Sequence, residues 1–302
     1  MPMFFSENLF MREPDVSDAA FILALLNSPG FLHYIGDRQV RNLNDASRYI
    51  QTIRDNEAIS YWIVHLRTTE EAIGIVSMIK RSYLAFHDIG FAFLPQHNGK
   101  GYAREASHAM LEYVVDRCHD QRILATVMPE NQKSIQLLQR LGLRFDEVLQ
   151  EANDSRSELL HVYSISRDEL LINRLTRHYF ELFSNRDGAV PQFERLMAMC
   201  QSAALFNNRV GERFKASNLE QFIRPRQVIL TNGYLRDFEE FEVSSTTVIV
   251  GNIAQRQCLY GKHGIIDGKA FQQQGDKLLQ FIKEDGQWKI NSALWEDHAL
   301  QD

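Results

Sequence analysis

The sequence predicts an α/β domain built on a mixed sheet over residues 1–165, followed by a separate α+β domain over residues 166–302. Three observations carry this. Strand and helix patterns alternate through the first half, and Leu94-Pro95-Gln96-His97-Asn98-Gly99-Lys100-Gly101-Tyr102-Ala103 joins a strand to a helix through a loop with two glycines. The second half opens with helical patterns and then becomes a meander of strands, the order of an α+β unit. At 302 residues the chain has room for two domains that each bury a core.

Asn8 to Pro14 alternates as an edge strand that the proline stops. Ser17-Asp18 supplies cap residues for a helix over Ala19 to Leu26, which Ser28-Pro29-Gly30 breaks. Asp45 to Arg54 places Ala46, Tyr49, Ile50 and Ile53 on one helical face. Strands follow at Tyr61–Leu66 and Ala72–Ile79, a hairpin across the charged residues 67–71, and then at Asp88–Leu94. Tyr102, Ala106, Ala109, Met110, Tyr113 and Val114 give the helix after the glycine loop. A strand at Arg122–Met128, a helix at Asn131–Leu141 ended by Gly142, and strands at Phe145–Gln150 and Glu158–Ser164 complete the first half. In the second half, helices are expected from Ser166, at Phe193–Ala204, and at Asn218–Ile223 before Pro225. Strands are expected at Phe238–Val250, Ala254–Tyr260, Lys277–Lys283 and Trp288–Trp295, with Glu284-Asp285-Gly286-Gln287 as a hairpin turn.

Composition narrows the function classes. With 44% hydrophobic and 24% charged residues and a formal net charge of −6, the chain carries no nucleic-acid footprint. No apolar run is long enough to span a bilayer, and Met1 to Phe10 lacks the basic and apolar regions of a signal peptide. Cys118, Cys200 and Cys258 are too far apart for a disulfide framework or a metal knuckle, so they read as packed thiols in a reducing compartment, and no metal site is expected. A cytoplasmic enzyme is the expectation.

The glycine loop suits a phosphate-bearing ligand, because a helix start offers unpaired N–H groups and the positive end of the helix dipole. It is neither a dinucleotide fingerprint, since Arg104 stands where a third glycine would be needed, nor a P-loop, since no Gly-Lys-Ser or Gly-Lys-Thr follows. Gln96-x-x-Gly99-x-Gly101-Tyr102-Ala103 resembles the signature of the GNAT N-acetyltransferase superfamily. Ala125-Thr126-Val127-Met128-Pro129-Glu130-Asn131-Gln132-Lys133-Ser134, followed by Leu138-Gln139-Arg140-Leu141-Gly142, is similar to the branch that contains the ribosomal-protein alanine acetyltransferases.

That resemblance implies acetyl-CoA as co-substrate and direct transfer to a primary amine in a ternary complex. It assigns the pyrophosphate to the backbone amides of Gln96, His97, Asn98, Gly99, Lys100, Gly101, Tyr102 and Ala103. The pantetheine arm falls to the backbone of Phe91, Ala92 and Phe93, where an amide would also polarise the thioester carbonyl, and to Asn131. Asp88 stands where the branch carries a glutamate and is the candidate general base, directly or through a water; its alternative is a solvated strand-end carboxylate, with His87 as understudy. Leu138 occupies the position of the tyrosine that many relatives use as acid, so Ser134 is the candidate acid, unless it is only the third residue of a helix capped by Asn131. A lysine amine costs roughly 4 kcal/mol to deprotonate at neutral pH and an α-amine under about 1, which modestly favours an α-amine, such as a protein N-terminus, as acceptor.

Asn218 to Ile223 and Phe281 to Ile290 resemble the nuclear transport factor 2-like (SnoaL-like) fold, a cone of curved sheet and helices. This implies homodimerisation or ligand recognition. Tyr260, His263 and Asp267 are the suggestive polar group there, but Gly261, Gly264 and Gly268 favour a loop or hairpin at that point. A non-catalytic sensor that binds CoA and an apolar ligand is the alternative function.

Overall fold

The computed structural model describes residues 3–153, 156–210 and 212–298. The chain divides into two compact units, Met1–Leu170 and Leu171–Asp302.

The first unit begins with strands β1 (Met3–Phe5) and β2 (Leu9–Arg12), then helices α1 (Ala19–Leu26), α2 (Pro29–Tyr34) and α3 (Leu43–Arg54). Strands β3 (Ile59–Leu66), β4 (Ala72–Ile79) and β5 (Asp88–Phe93) lead into α4 (Tyr102–Val114), β6 (Arg122–Val127), α5 (Gln132–Arg140), β7 (Arg144–Asn153) and β8 (Arg156–Ser166). The strands form one sheet in the order β1-β2-β3-β4-β5-β6-β8-β7. The edge is β1, not the segment before Pro14, because Met3–Phe5 pairs antiparallel with Phe10–Arg12. Pro29 ends one helix and starts another, since its fixed φ and missing N–H suit a first helical position behind Ser28.

Helices α1 and α3 bury Ile22, Leu25, Leu26, Ala46, Ile50 and Ile53 against Tyr61, Ile63 and Ile75 of the sheet. On the other face, the Tyr113 ring of α4 stacks on Phe4 at 4.5 Å and meets Trp62 edge-on at 5.8 Å. The start of α4 is tied to the β1–β2 turn by Glu105, whose carboxylate accepts from Ser6 Oγ (2.7 Å) and the Asn8 backbone N–H (2.7 Å).

The second unit holds most of α6 (Arg167–Glu181), then α7 (Phe193–Met199), β9 (Cys200–Val210), β10 (Arg213–Ser217), α8 (Leu219–Thr231), β11 (Leu235–Val250), β12 (Ile253–Ile266), β13 (Lys269–Glu284) and β14 (Gln287–Asp297). Its sheet runs β10-β9-β14-β13-β12-β11, with only the β9–β14 pair parallel. Two expectations fail here. Residues 200–204 are strand rather than helix, because Cys200 pairs with Ile290 and buries alongside Ala204 and Phe206; tertiary pairing overrides a spacing that reads as helical. Helix α8 runs through Pro225 instead of stopping before it. The proline removes one helical hydrogen bond, but a capping box of Asn218 and Gln221 fixes the start, and burial of Phe222 and Leu230 holds the turns on either side.

Asp285-Gly286 and Asp267-Gly268 both adopt positive φ in two-residue hairpin turns, at 49° and 76° in each case. These are the angles that primed turns demand of both central residues. Of the loop and hairpin readings for residues 260–268 the hairpin holds, with Gly261 and Gly264 inside β12 and the turn at Asp267-Gly268. Gly261 lets the Phe241 ring lie across the strand, since an added Cβ would come within 2.8 Å of it.

Burial, and then the positive charges of Arg177, Arg195 and Arg174, lower the His178 pKa to about 4 from its ordinary 6.5. The unfolded chain therefore takes up a proton before the folded chain does. Stability contributed by neutral His178 is full above pH 6.5 and is lost as pH falls from 6.5 towards about 4. Urea midpoints across that window should fall in the native protein, and the fall should be smaller in His178→Gln.

Candidate active site

Strands β5 and β6 run parallel and are joined by a single residue pair, Asp88 with Leu124. The Leu124 N–H donates to the His87 carbonyl at 2.9 Å. Beyond that point no further pair joins the two strands among the described residues, whereas β5 stays paired with β4 along its whole length. The ladder with β4 fixes which amides face the gap. The Leu94 N–H donates to the Ile73 carbonyl at 2.9 Å, and bonded residues alternate in an antiparallel pair. Asp88, Gly90 and Ala92 therefore turn their backbone groups to β4, while Phe91 and Phe93 turn theirs towards the gap. Ala92 offers no backbone contact there, which its place between two phenylalanines in the sequence could not reveal.

Two glycines shape this strand. An added Cβ on Gly74 would sit 2.3 Å from the Phe93 ring, and one on Gly90 would sit 2.8 Å from Ser77 Oγ. Gly74 thus lets the Phe93 ring lie flat over β4 beside the gap.

At the end of β5, Pro95–His97 forms one 3-10 turn, followed by Gly99 at φ 76° and Gly101 at φ 86°. Added Cβ atoms there would meet nothing within 4 Å, so it is the left-handed backbone that requires glycine. Any other residue would cost about 1–2 kcal/mol at each position. The amides are not equally available. The His97 N–H donates to the Leu94 carbonyl (2.9 Å) and the Asn98 N–H to the Pro95 carbonyl (3.2 Å). His97 is buried with Nε2 3.1 Å from Glu71 Oε1, so its side chain points inward. Neither residue offers its N–H to an anion. The Glu105 N–H closes the first helical bond on the Gly101 carbonyl, leaving Tyr102, Ala103 and Arg104 with unpaired N–H groups. With Gly99, Lys100 and Gly101 these form a run of open donors at the positive end of α4. Arg104 presents its backbone N–H beside them, and the position of the helix start was the available signal.

Asp88 lies at the root of the gap and is 2% exposed. Arg81 Nε donates to both of its oxygens at 2.9 Å, and Thr126 Oγ1 donates to Oδ2 at 3.2 Å. It is therefore a buried, held carboxylate rather than a solvated strand end. Burial raises its pKa above the ordinary value, while Arg81 and then Thr126 oppose the rise. The Asp88 backbone N–H adds a further hydrogen bond to the same carboxylate, so most of its roughly four acceptor sites are engaged. Arg81 was not apparent from the sequence, because it sits in a loop whose spacing carries no pattern. His87 is paired with Asp120, its Nδ1 lying 2.7 Å from Oδ2.

Asn131 caps α5, accepting from the Ser134 N–H at 3.2 Å. The Ser134 hydroxyl takes no part in that bond, and the residue is half-buried. Leu138 is 1% exposed and packs as core. Cys118 lies past the end of α4 and is half-buried rather than a core thiol, whereas Cys200 and Cys258 are buried. In the second unit, Tyr260, His263 and Asp267 are not brought together. Tyr260 is buried and donates to Asp297 Oδ1 at 2.6 Å, His263 lies 3.4 Å from Glu239, and Asp267 occupies an exposed turn.

Comparison with known proteins finds similarities over the N-terminal half of the chain. Residues 8–144 match the family model described as an acetyltransferase (GNAT) domain. The uncharacterized N-acetyltransferase YnaD of Bacillus subtilis is 27% identical over 168 residues, 54% of this chain and 96% of that protein. The uncharacterized N-acetyltransferase p20 of Bacillus licheniformis is 28% identical over 172 residues, 55% of this chain and 96% of its own length. Among solved structures, a GCN5-related N-acetyltransferase from Brucella melitensis shares the fold. Its TM-score is 0.50 at 13% identity, over 59% of this chain and 85% of that one. No helix among the described residues is long and apolar enough to cross a membrane.

Proposed function

We propose, from the premise that the N-terminal half carries a GNAT-type acetyltransferase domain, that this protein moves an acetyl group from acetyl-CoA to a primary amine. The observation that carries the reading is the one-pair junction of β5 and β6, with the Phe91 and Phe93 amides facing the gap and the open donors of residues 99–104 at its end. A pantetheine arm pairs with those strand amides as an added strand would, and the pyrophosphate takes the donors of the loop.

In the transfer the amine nitrogen attacks the thioester carbonyl, a C–N bond forms and the C–S bond breaks. The Phe91 or Phe93 N–H stabilises the oxyanion. Asp88 takes the amine proton through a water, since the carboxylate is buried and held by Arg81. Ser134 donates a proton to the departing thiolate and takes one from solvent in exchange, while Asp88 releases the amine proton to solvent, so that the amine proton lost and the thiol proton gained balance. Such a base copes best with an amine that is easily made neutral, so a protein N-terminus is the favoured acceptor. The second unit, with its six-stranded sheet and flanking helices, is read as a SnoaL-like domain that serves dimerisation or ligand recognition. Free thiols throughout fit a cytoplasmic protein.

A second reading, a sensor that holds CoA without turnover, is favoured by one observation: Leu138 is core where many relatives carry an acid. Turnover of acetyl-CoA by the full-length protein, measured across N-terminal peptides, polyamines and amino sugars, separates the two. The peptides are expected to be acetylated fastest, whereas tight cofactor binding with no acceptor consumed would favour the sensor. Ser134→Ala should lower kcat by about 10²-fold while leaving acetyl-CoA affinity nearly unchanged. Unaltered turnover in that variant would remove the proposed acid.

A further inference from the structure

The residue before β5 and the turn after α4 bring three metal-binding side chains together. His87 Nδ1 lies 2.7 Å from Asp120 Oδ2 and 3.8 Å from Cys118 Sγ. The three donor atoms lie within 4.8 Å of one another, and all three residues are half-buried, so an ion could reach them from solvent. We propose that His87, Cys118 and Asp120 form a binding site for a divalent transition-metal ion of the zinc class. The inference is independent of acetyl transfer.

The donor chemistry selects the class. A thiolate and an imidazole favour zinc and its neighbours over magnesium or calcium, which take oxygen ligands. Bonds of about 2.0–2.3 Å in a tetrahedral site put neighbouring donors about 3.4–3.6 Å apart. The sulfur–nitrogen separation of 3.8 Å is already close to that. The nitrogen–oxygen separation of 2.7 Å must open by less than about 1 Å, as the ion replaces the proton between Nδ1 and Oδ2. Nδ1 then presents its lone pair with the ring proton on Nε2, and the Cys118 thiol proton is released to solvent. Three protein ligands leave a fourth position for water.

The supports of the three residues are in place. The His87 backbone N–H donates to Asp120 Oδ2 at 2.7 Å, and its carbonyl accepts from the Leu124 N–H at 2.9 Å. The Cys118 N–H is held by the Val114 carbonyl at 2.7 Å, which sets the turn at the end of α4. Lys80, whose charge reaches Asp120, directs its ammonium to the Leu84 and Ala85 carbonyls. Sequence spacing hides such a site, because His87 lies 31 residues before Cys118 and the two meet only through the fold.

The test is titration of the full-length, metal-free protein with cobalt(II), followed by absorption. One equivalent is expected to give a thiolate-to-cobalt band in the near ultraviolet, and zinc should abolish it. Cys118→Ser should lose the band although Cys200 and Cys258 remain. Absence of the band in the native protein, or its survival in Cys118→Ser, overturns the proposal. Asp120→Asn keeps the side-chain shape and provides a second readout by equilibrium dialysis with zinc. Binding at least tenfold weaker is expected, and unchanged affinity also overturns the site.

Discussion

Asp88→Asn should lower acetyl transfer by about 10²–10⁴-fold, the range lost with a general base, while the protein stays folded. Asparagine keeps the shape and can still accept from Arg81 Nε, so the change removes charge and basicity rather than packing. A purely structural Asp88 predicts the opposite pattern, a lowered melting temperature with kcat nearly intact. The pH–rate profile sharpens the distinction. Burial raises the Asp88 pKa and Arg81 lowers it, so Arg81→Met should raise it further. The base is active when ionised, so the acidic limb of kcat should move to higher pH in Arg81→Met and vanish in Asp88→Asn. An acidic limb that stays in place in both variants would assign the proton to another group.

Glu240→Gln should destabilise the second unit by about 3–5 kcal/mol, the cost of leaving a buried charge without its partner. Lys277 is 3% exposed and its ammonium is paired with Glu240. Around it stand the rings of Tyr260 at 4.4 Å, Phe180 at 4.6 Å, Tyr179 at 5.1 Å and Trp295 at 5.9 Å. The ring faces attract the cation but do not replace the carboxylate, because burial still lowers the Lys277 pKa and Glu240 is what opposes it. Lys277→Met in the same background removes the stranded charge and should recover most of the loss, since a buried pair replaced by apolar groups is often neutral. Chemical denaturation of the four members of this cycle measures the coupling. A coupling energy near zero would show that the pair is not what holds this interior together.

Much of the first unit was legible because its punctuation is local. Two glycines needing positive φ, a cap at Asn131 and Gly142 after α5 mark the ends of elements regardless of what packs on them. The β1–β2 turn was not legible, since three residues at Met3–Phe5 are too few to show a period and depend on pairing with Phe10–Arg12. In the second unit the strands were read shorter than they are. Lys269–Gln273 and Gly261–Ile266 are mostly polar or glycine-bearing and gain their strand form from each other. At the site, the two glycines and the helix start at Tyr102 were legible, but the partners of side chains were not. Arg81 reaches Asp88, and Asp120 reaches His87, across loops whose composition is unremarkable. The internal bonds at His97 and Asn98 were equally hidden, because a single 3-10 turn leaves no periodic trace.

The parting of β5 from β6 also bears on how this molecule avoids sticking to its neighbours. A sheet of eight strands ordinarily has two raw edges, and this one has two more inside it, where unpaired backbone groups such as those of Phe91 and Phe93 wait for a partner. Edges of that kind recruit foreign strands. Here the opening is pinned at its root by Asp88 and Leu124 and bordered by the Phe93 ring over Gly74. Under the proposed function, the hydrogen-bonding groups that would drive aggregation at an outer edge are the ones that the arm of acetyl-CoA takes up.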